Sequence, residues 1–439
     1  MAFIPDDIRE MVKLAAPLVI AELGWMAMGI VDTAIVGRVS PLAIAGVGLG
    51  AMIYYSIAIC ASGLLLGLDT LVAQAWGAGD QEDARASLTS GLWLAALLTP
   101  LVMGLVWLLE PVLSLVGIDP AIMRQARPFL HALNWGTPPL MIYFVLRRYL
   151  QAAGAERMVM IALVSANLVN FVFDVALVFG KWGFPAMGTE GAGWSTCFAR
   201  LYMAGFLAMV VRSHVLGKPL VWRPDWTRMR RLLALGAPAA GQMTIEIAVF
   251  SIATVLAGKL GALTLAGHQI ALTTVSTTYM LPLGISSAAA VSVGQAVGRG
   301  DKRGASRAGW SAIKIGAIAM GASAVMLLVV PQWIARIFTP DPQVIAATSV
   351  LLRIAALFQL FDGLQTVATG ALRGVGDTRT PMLCHFLGYW FIGLPVGILL
   401  CFGQGWGAAG LWAGLSLGLI LIGIALTWVW SARMKAHDI

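Results

Sequence analysis

The sequence predicts an all-α polytopic membrane protein with twelve transmembrane helices in two pseudo-symmetric six-helix bundles. Charged side chains make up only 11% of the 439 residues, against about a quarter in globular domains. The apolar residues, 59% of the chain, gather in runs long enough to cross a ~30 Å hydrocarbon layer, which takes about 20 helical residues. The chain also repeats itself 221 residues apart. Leu14, Ala16, Pro17, Thr33, Gly37, Leu42 and Gly46 recur as Leu235, Ala237, Pro238, Thr254, Gly258, Leu263 and Gly267. Gly63, Gln74, Ala75, Gly77, Gly79 and Asp80 recur as Gly284, Gln295, Ala296, Gly298, Gly300 and Asp301. A repeat of this length in an apolar chain marks a transporter whose binding site lies between two related halves.

The first half gives spans at roughly 14–37, 42–72, 88–109, 126–151, 158–180 and 191–211. The second gives 232–257, 262–293, 308–331, 345–372, 381–402 and 406–431. These runs are continuous, whereas strands of a membrane barrel alternate over ~10 residues. Residues 1–211 form an N-terminal lobe, 232–439 a C-terminal lobe, and the basic, turn-rich 212–231 segment with Arg223-Pro224-Asp225-Trp226 a linker. Met1 to Lys13 carries Asp6, Asp7 and Glu10 and leads straight into a full-length span, so no cleavable signal peptide is expected.

Lys and Arg placement sets orientation. With the N-terminus inside, 20 of the 29 fall in inner segments. Six (Arg38, Arg124, Arg127, Lys181, Lys259, Arg336) fall outside, and Arg200, Lys314 and Arg353 lie within helices. Both termini and the linker are therefore expected in the cytoplasm of a multi-pass plasma membrane protein, the bacterial inner membrane. The net charge of +8 is a topological signal, because no soluble domain gathers basic residues for nucleic acid. Cys60, Cys197, Cys384 and Cys401 lie in apolar runs without metal-ligand spacing. Gly414-Leu415-Ser416-Leu417-Gly418 matches a nucleophile elbow by chance, since it sits in an apolar helix rather than at a strand-to-helix turn. No P-loop occurs, and no cofactor is implied.

Ionisable groups within a bilayer are costly and mark function. Six carboxylates fall in the spans: Glu22, Asp32, Asp69, Asp174, Glu246 and Asp362. Asp32 precedes Arg38 by six residues and Asp174 precedes Lys181 by seven, which places both about 10 Å below the outer surface. Asn167, Asn170 and Asp174, at i, i+3 and i+7, share one stripe of the fifth helix. Beside Asp32, such a stripe offers hard oxygen ligands for Na⁺ or a carboxylate pair that shares a proton. A purely structural stripe would glue helices by hydrogen bonds, but two acids at one depth exceed that need.

Glu246 and Asp362 sit near mid-span in the second half. Under the repeat, Glu246 maps to Trp25, Asp362 to Leu140, Asp32 to Ala253 and Asp174 to Val396. The scaffold is duplicated and the charges are not, as expected if the acids serve function. An ion pair with Arg353 or Lys314 is the structural alternative for one of them. Glu22 either lines the cavity or pairs with a neighbouring helix, Asp69 reads as a helix-end charge, and Arg200 as the counter-ion of an outer-half acid. His131, His268 and His385 read mainly as hydrogen-bonded packing residues. Tyr143, Asn167, Gln242, Gln269, Tyr279 and Gln365 are expected to line a cavity suited to organic cations.

Val31-Asp32-Thr33-Ala34-Ile35-Val36-Gly37-Arg38, the paired Gln-Ala-x-Gly-x-Gly-Asp loops, Ala266-Gly267-His268-Gln269-Ile270 and Leu372-Arg373-Gly374-Val375-Gly376-Asp377-Thr378 resemble the multidrug and toxic compound extrusion (MATE) family over about Asp7 to Met434. The resemblance implies two six-helix lobes around a V-shaped cleft that alternates between outward and inward openings. It implies export of organic cations and other amphipathic compounds in exchange for Na⁺ or H⁺, by a non-enzymatic, monomeric antiporter. Glu246 and Asp362 resemble the NorM-type cation site. Asp32, Asn170, Asp174 and Thr196 resemble the first-lobe site of the DinF-type branch, partly shared by NorM-type members. Na⁺ is thus expected at Glu246 and Asp362 or at Asp32, Asn170 and Asp174. The sequence departs from the family pattern at Leu150-Gln151-Ala152-Ala153-Gly154, where the second half keeps Leu-Arg-Gly-Val-Gly. Two other readings remain at this point, a lipid-linked saccharide flippase and an intramembrane enzyme. The first would favour a cationic cleft, and the second lacks a nucleophile and base pair.

Overall fold

A computed structural model describes residues 6–115, 119–214 and 222–435; residues 215–221 of the expected linker lie outside them. The helices in chain order are α1 (Asp6–Val36), α2 (Pro41–Gly77), α3 (Gln81–Leu115) and α4, in two pieces (Pro120–Trp135 and Thr137–Ala152). They continue as α5 (Glu156–Phe179), α6 (Thr189–His214), α7 (Trp226–Lys259), α8 (Ala262–Gly298) and α9 (Lys302–Val329). A short helix Pro331–Phe338 precedes α10 (Pro342–Gly374), α11 (Arg379–Gly403) and α12 (Ala408–Lys435). Among the described residues, eleven helices are individually long and apolar enough to cross a membrane. The twelfth expected span is α4. Its two 16-residue pieces meet at Gly136, next to Thr137-Pro138, where proline cannot donate the backbone bond that would continue the helix. No strand occurs among the described residues.

The repeated loop motifs are turn chemistry. Gly79, Gly300 and Gly376 adopt φ of +76°, +70° and +86°, a left-handed conformation that glycine reaches without a Cβ penalty. The next residue closes the preceding helix: Asp80 N–H bonds to Ala75 O at 3.0 Å, Asp301 to Ala296 O at 2.9 Å, and Asp377 to Leu372 O at 2.9 Å. Each aspartate then starts the next helix, accepting from Asp83 N at 2.9 Å, Gly304 N at 2.8 Å and Thr380 N at 3.0 Å. The departing first-half loop keeps the turn, with Gly154 at φ +77° and Ala155 N–H on Leu150 O at 2.8 Å. Only the side-chain cap is missing, because Ala155 has no acceptor.

The helices pack into two compact units, Ile20–Ala240 and Met1–Val19 with Gly241–Ile439. This division falls inside α1 and α7, whereas the sequence division falls in the 212–231 linker. The reason is that each unit takes in the start of a helix from the other half of the chain, by one repeated contact. In the first unit a Cβ on Gly63 would stand 2.6 Å from Ala240 Cα, and in the second a Cβ on Gly284 would stand 2.6 Å from Val19 Cα. Gly63 and Gly284, like Val19 and Ala240, are 221 residues apart. Backbones this close admit only glycine.

Each unit has its own buried core. One surrounds Tyr54, Leu68, Leu88, Leu140, Leu163 and Leu207; the other surrounds Leu18, Val249, Ile285, Leu352, Phe358 and Trp430. Outward faces carry exposed apolar side chains such as Leu101, Leu168, Met209, Ile318 and Val329, as a lipid solvent requires. In α11 the turns widen over Phe386–Gly393 and Leu399–Gly403. There Gly388, Gly393 and Gly397 lie against Gly414 and Gly418 of α12. The pattern that mimicked a nucleophile elbow is thus a close helix–helix seam, and Ser416 Oγ simply donates to Trp412 O at 2.6 Å.

Candidate functional site

In the Ile20–Ala240 unit, α1, α5 and α6 bring Asp32, Asn170, Asp174, Ser195 and Thr196 together, all buried. The Asn170 amide lies four residues before Asp174, so one helical turn stacks them on one face. Its NH₂ has two hydrogens and spends one on each acid: Asn170 Nδ2 donates to Asp32 Oδ1 and, at 2.8 Å, to Asp174 Oδ2. Thr196 Oγ1 donates to Asp32 Oδ2 at 3.1 Å, and Ser195 Oγ donates to Asp174 Oδ1. Both hydroxyls also lie within reach of Ala192 O, at 3.0 and 2.9 Å. A hydroxyl has one hydrogen. If an acid takes up a proton it can donate to its hydroxyl, which then turns its own hydrogen to Ala192 O. A bound cation would turn the hydroxyls the same way.

Asn170 Oδ1 is buried without a hydrogen-bond partner in the protein. It is a spare hard-oxygen acceptor beside two carboxylates, and buried orphan acceptors are rare. The donor set, two carboxylates with an amide and hydroxyl oxygens, suits Na⁺ rather than a thiophilic metal. Among the described residues no cluster of three or more His, Cys, Asp or Glu side chains offers a metal site. Ser195 was missed in the sequence; its only signal is its place beside Thr196. Asn167 stands apart from this cluster, donating to Gly24 O at 3.0 Å and Leu163 O at 2.9 Å.

Glu22 pairs with the buried Arg147 of α4, so of its two expected roles the structure gives it the interhelical pair. Asp69 is buried and lies 3.2 Å from Arg148, which is more than a helix-end charge. Arg147 and Arg148 were counted with inner segments, yet they answer acids inside the bundle. Among the described residues Arg200 has no carboxylate oxygen within 4 Å, but its charge acts on Asp32, an outer-half acid as expected. Arg200 Nη1 donates to Tyr54 Oη at 2.9 Å and to Leu133 O at 3.3 Å, and its Nη2 to Tyr55 Oη at 3.3 Å. It thereby caps the interrupted α4. Tyr143 is fully buried and stacked on Trp25, with centroids 6.1 Å apart.

In the other unit α7, α8, α10 and α11 contribute Glu246, Tyr279, Asp362, Gln365 and Tyr389. Asp362 Oδ1 accepts from Gln365 Nε2 at 2.9 Å. Glu246 feels the charge of Asp362, and both charges act on the phenols of Tyr279 and Tyr389. Lys314 and Arg353 are exposed and pair with neither acid. His268 accepts from Trp412 Nε1 at Nδ1 (3.0 Å), so its Nε2–H faces Thr254 Oγ1 at 2.9 Å. His385 Nδ1 donates to Pro381 O at 2.8 Å, leaving Nε2 to accept from Gln242 at 3.3 Å. These bonds hold both rings as neutral packing residues, and they tie up Gln242. His131 is exposed beside Glu110, which Arg127 also meets at 2.7 Å. Gln269 is exposed.

The MatE family profile matches residues 17–176 and 238–399, two stretches whose starts are 221 residues apart and which cover most of the chain. The chain is a NorM-like member of the MATE family. It is 38% identical over 439 residues to the "Probable multidrug resistance protein NorM" of Pseudomonas putida, covering 98% of this chain and 95% of that one. It is 37% identical to the protein of the same name from Mesorhizobium japonicum, over 98% and 94%, and 34% identical to the "Multidrug resistance protein MdtK" of Yersinia pseudotuberculosis, over 96% of each. The eukaryotic MATE transporter AtDTX14 shares the fold at a TM-score of 0.88 and 20% identity, over 98% of both chains. A MOP superfamily transporter from Pyrococcus furiosus does so at 0.88 and 20%, over 98% and 96%. Twelve-helix architecture and membership of a transport family follow for this MATE chain.

Proposed function

We propose that this chain is a secondary multidrug antiporter of the bacterial inner membrane, exporting organic cations and amphipathic compounds in exchange for Na⁺ or H⁺. The observation that carries the reading is the cluster of Asp32, Asn170 and Asp174 with the partnerless Asn170 Oδ1. It is a dry, preformed place for one small cation or proton. Asp32 lies on α1 and Glu246 on α7, the two helices shared between the compact units. Ion occupancy at either acid therefore acts on a helix that belongs to both units, as alternating access requires: a ligand shifts a conformational equilibrium only by its differential affinity for the two states. Glu246 and Asp362 form the second acidic locus, where a coupling ion or the amine of a substrate would bind. The relatives named for multidrug resistance support the substrate class. Purified protein in liposomes, with efflux of a cationic dye measured separately under an imposed Na⁺ gradient and a pH gradient, tests the reading. Flux under neither gradient overturns it.

Both termini and the 212–231 linker face the cytoplasm in this reading. A cysteine placed at Arg223 then stays unlabelled by an impermeant reagent added to intact cells, and labelling from outside reverses the orientation.

A further inference from the structure

The first turns of α7 are basic where those of α1 are not. Residues 227–234 hold Arg228, Arg230 and Arg231 and no acid, whereas the matching residues 6–13 of the repeat hold Asp6, Asp7 and Glu10 against Arg9 and Lys13. Arg228 is answered within the protein, by Asp83 and Asp225. Arg230 and Arg231 are exposed and have no ion pair among the described residues. The helix is two-sided here. Met229 and Leu232 are buried in the core of the Ile20–Ala240 unit, while Trp226, Arg230 and Leu233, spaced i, i+4 and i+7, form one exposed stripe. Trp226 is 67% exposed and Leu233 36%. A topological signal needs cations on the cytoplasmic side, but it does not need an arginine set between two exposed apolar side chains.

Depth places the stripe. The apolar run of α7 begins at about residue 232, so at 1.5 Å per residue Arg230 and Arg231 lie about 2–3 Å beyond the hydrocarbon and Trp226 about 9 Å. That is the headgroup layer, whose two sides together add roughly 10–15 Å to a ~30 Å core. Trp favours this layer, and a guanidinium fork matches a phosphate with two parallel hydrogen bonds.

We infer that the exposed face of α7 formed by Trp226, Arg230, Arg231 and Leu233 is a binding site for an anionic phospholipid. Arg230 and Arg231 hold the phosphate, Trp226 lies at the level of the headgroup, and Leu233 meets the first methylenes of an acyl chain. A headgroup of net negative charge, such as phosphatidylglycerol, balances the arginines, whereas phosphatidylcholine brings a cation of its own. The apolar ends of the stripe favour a lipid over a free phosphate. The inference goes beyond the export reading and does not depend on it, because binding needs neither gradient nor drug.

The test reads the site itself. The protein is labelled with 5-fluorotryptophan, and the ¹⁹F resonance of Trp226 is the one missing from Trp226→Phe. In mixed micelles phosphatidylglycerol is expected to shift this resonance saturably, at a mole fraction at least fivefold below that at which phosphatidylcholine of the same acyl chains acts. A basic residue beside an anionic lipid surface is worth about fivefold in affinity, so Arg230→Gln with Arg231→Gln is expected to weaken the phosphatidylglycerol response at least tenfold. Both side chains are exposed, so the fold should be kept. Arg303→Gln with Arg307→Gln removes the same charge from exposed residues of α9 and is expected to leave the response within twofold. Equal responses to the two lipids overturn the proposal, since the face then meets only the general lipid layer. Equal weakening by the two double variants also overturns it, leaving net charge as the cause. So does the same shift with inorganic phosphate alone, which would make this a site for a soluble anion.

Discussion

The two units hold their acids differently. In Ile20–Ala240, Asp32 and Asp174 receive hydrogen bonds from three side chains on α5 and α6, so the cluster stitches α1 to both. In the other unit Asp362 receives its bond from Gln365 on its own helix, and Glu246 and Asp362 meet by charge. The first site is pre-organised across helices, and occupying it changes interhelical bonding. In the second, no hydrogen bond among the described residues ties the acids across helices. In the proposed reading, one duplicated scaffold thus carries a coupling element in one half and an acidic locus for ligand in the other, because the repeat does not copy the acids.

Neutralising the acidic locus for ligand is expected to have the largest effect. Glu246→Gln and Asp362→Asn should each lower export at least about tenfold, the loss of ~1.4 kcal/mol of interaction. Expression should hold, since removing a charge from the bilayer interior relieves a desolvation cost. Dye efflux at matched protein level checks this, and near-normal efflux in either variant would erase the division of labour between the units.

Asp32→Asn sharpens it from the other side. The amide keeps the shape but can take neither a proton nor a charge-balancing cation. Gradient-driven flux in liposomes is expected to fall about fivefold, ~1 kcal/mol of coupling, while binding of a cationic substrate stays within about threefold. Loss of binding together with flux would make Asp32 a substrate ligand instead.

The third contrast is structural. Glu22→Gln leaves Arg147 buried without its partner, and breaking a buried pair costs roughly 3–5 kcal/mol. A large drop in melting temperature is expected in detergent. The double change Glu22→Gln with Arg147→Met should recover much of it, because it removes the orphan charge as well. If the double variant melts no higher than the single one, the pair is not what holds α1 against α4.

Twelve spans, the repeat and the depth shared by Asp32 and Asp174 were legible because hydropathy and period depend on local sequence. The partners of charges were not. Nothing near Arg147 in the chain says that Glu22, 125 residues away, will meet it, and the counter-ion reading of Arg200 reaches only its charge on Asp32, not its hydrogen bonds. Its hydrogen-bond partners are two tyrosines and a carbonyl freed by the break in α4, which depends on how α2, α4 and α6 pack. The glycines were visible as repeats, yet only the packing tells a turn glycine such as Gly79 from a crossing glycine such as Gly63. The division of the units inside α1 and α7 was equally hidden, because a linker is local and a shared helix is not.

The smallest expected effect tests whether α7 needs its cap where it enters the Ile20–Ala240 unit. Asp225 Oδ1 accepts from Arg228 N at 3.0 Å, and Arg228 Nη1 reaches Asp83 Oδ1 at 2.6 Å. The Arg228 backbone N–H holds the exposed Asp225 carboxyl below its ordinary range, with the Arg228 charge adding to it. A carboxylate whose folded value is lowered adds stability above its unfolded value and loses it as pH falls through the folded one. Asp225→Ala should therefore cost about 1 kcal/mol at neutral pH, the usual worth of an N-cap. The melting curves of variant and parent should converge as pH drops below the carboxylate range. Arg228 keeps Asp83 in the variant, so α7 should stay docked against α3. A difference between the curves that persists unchanged in acid would place the effect in the backbone rather than in the cap.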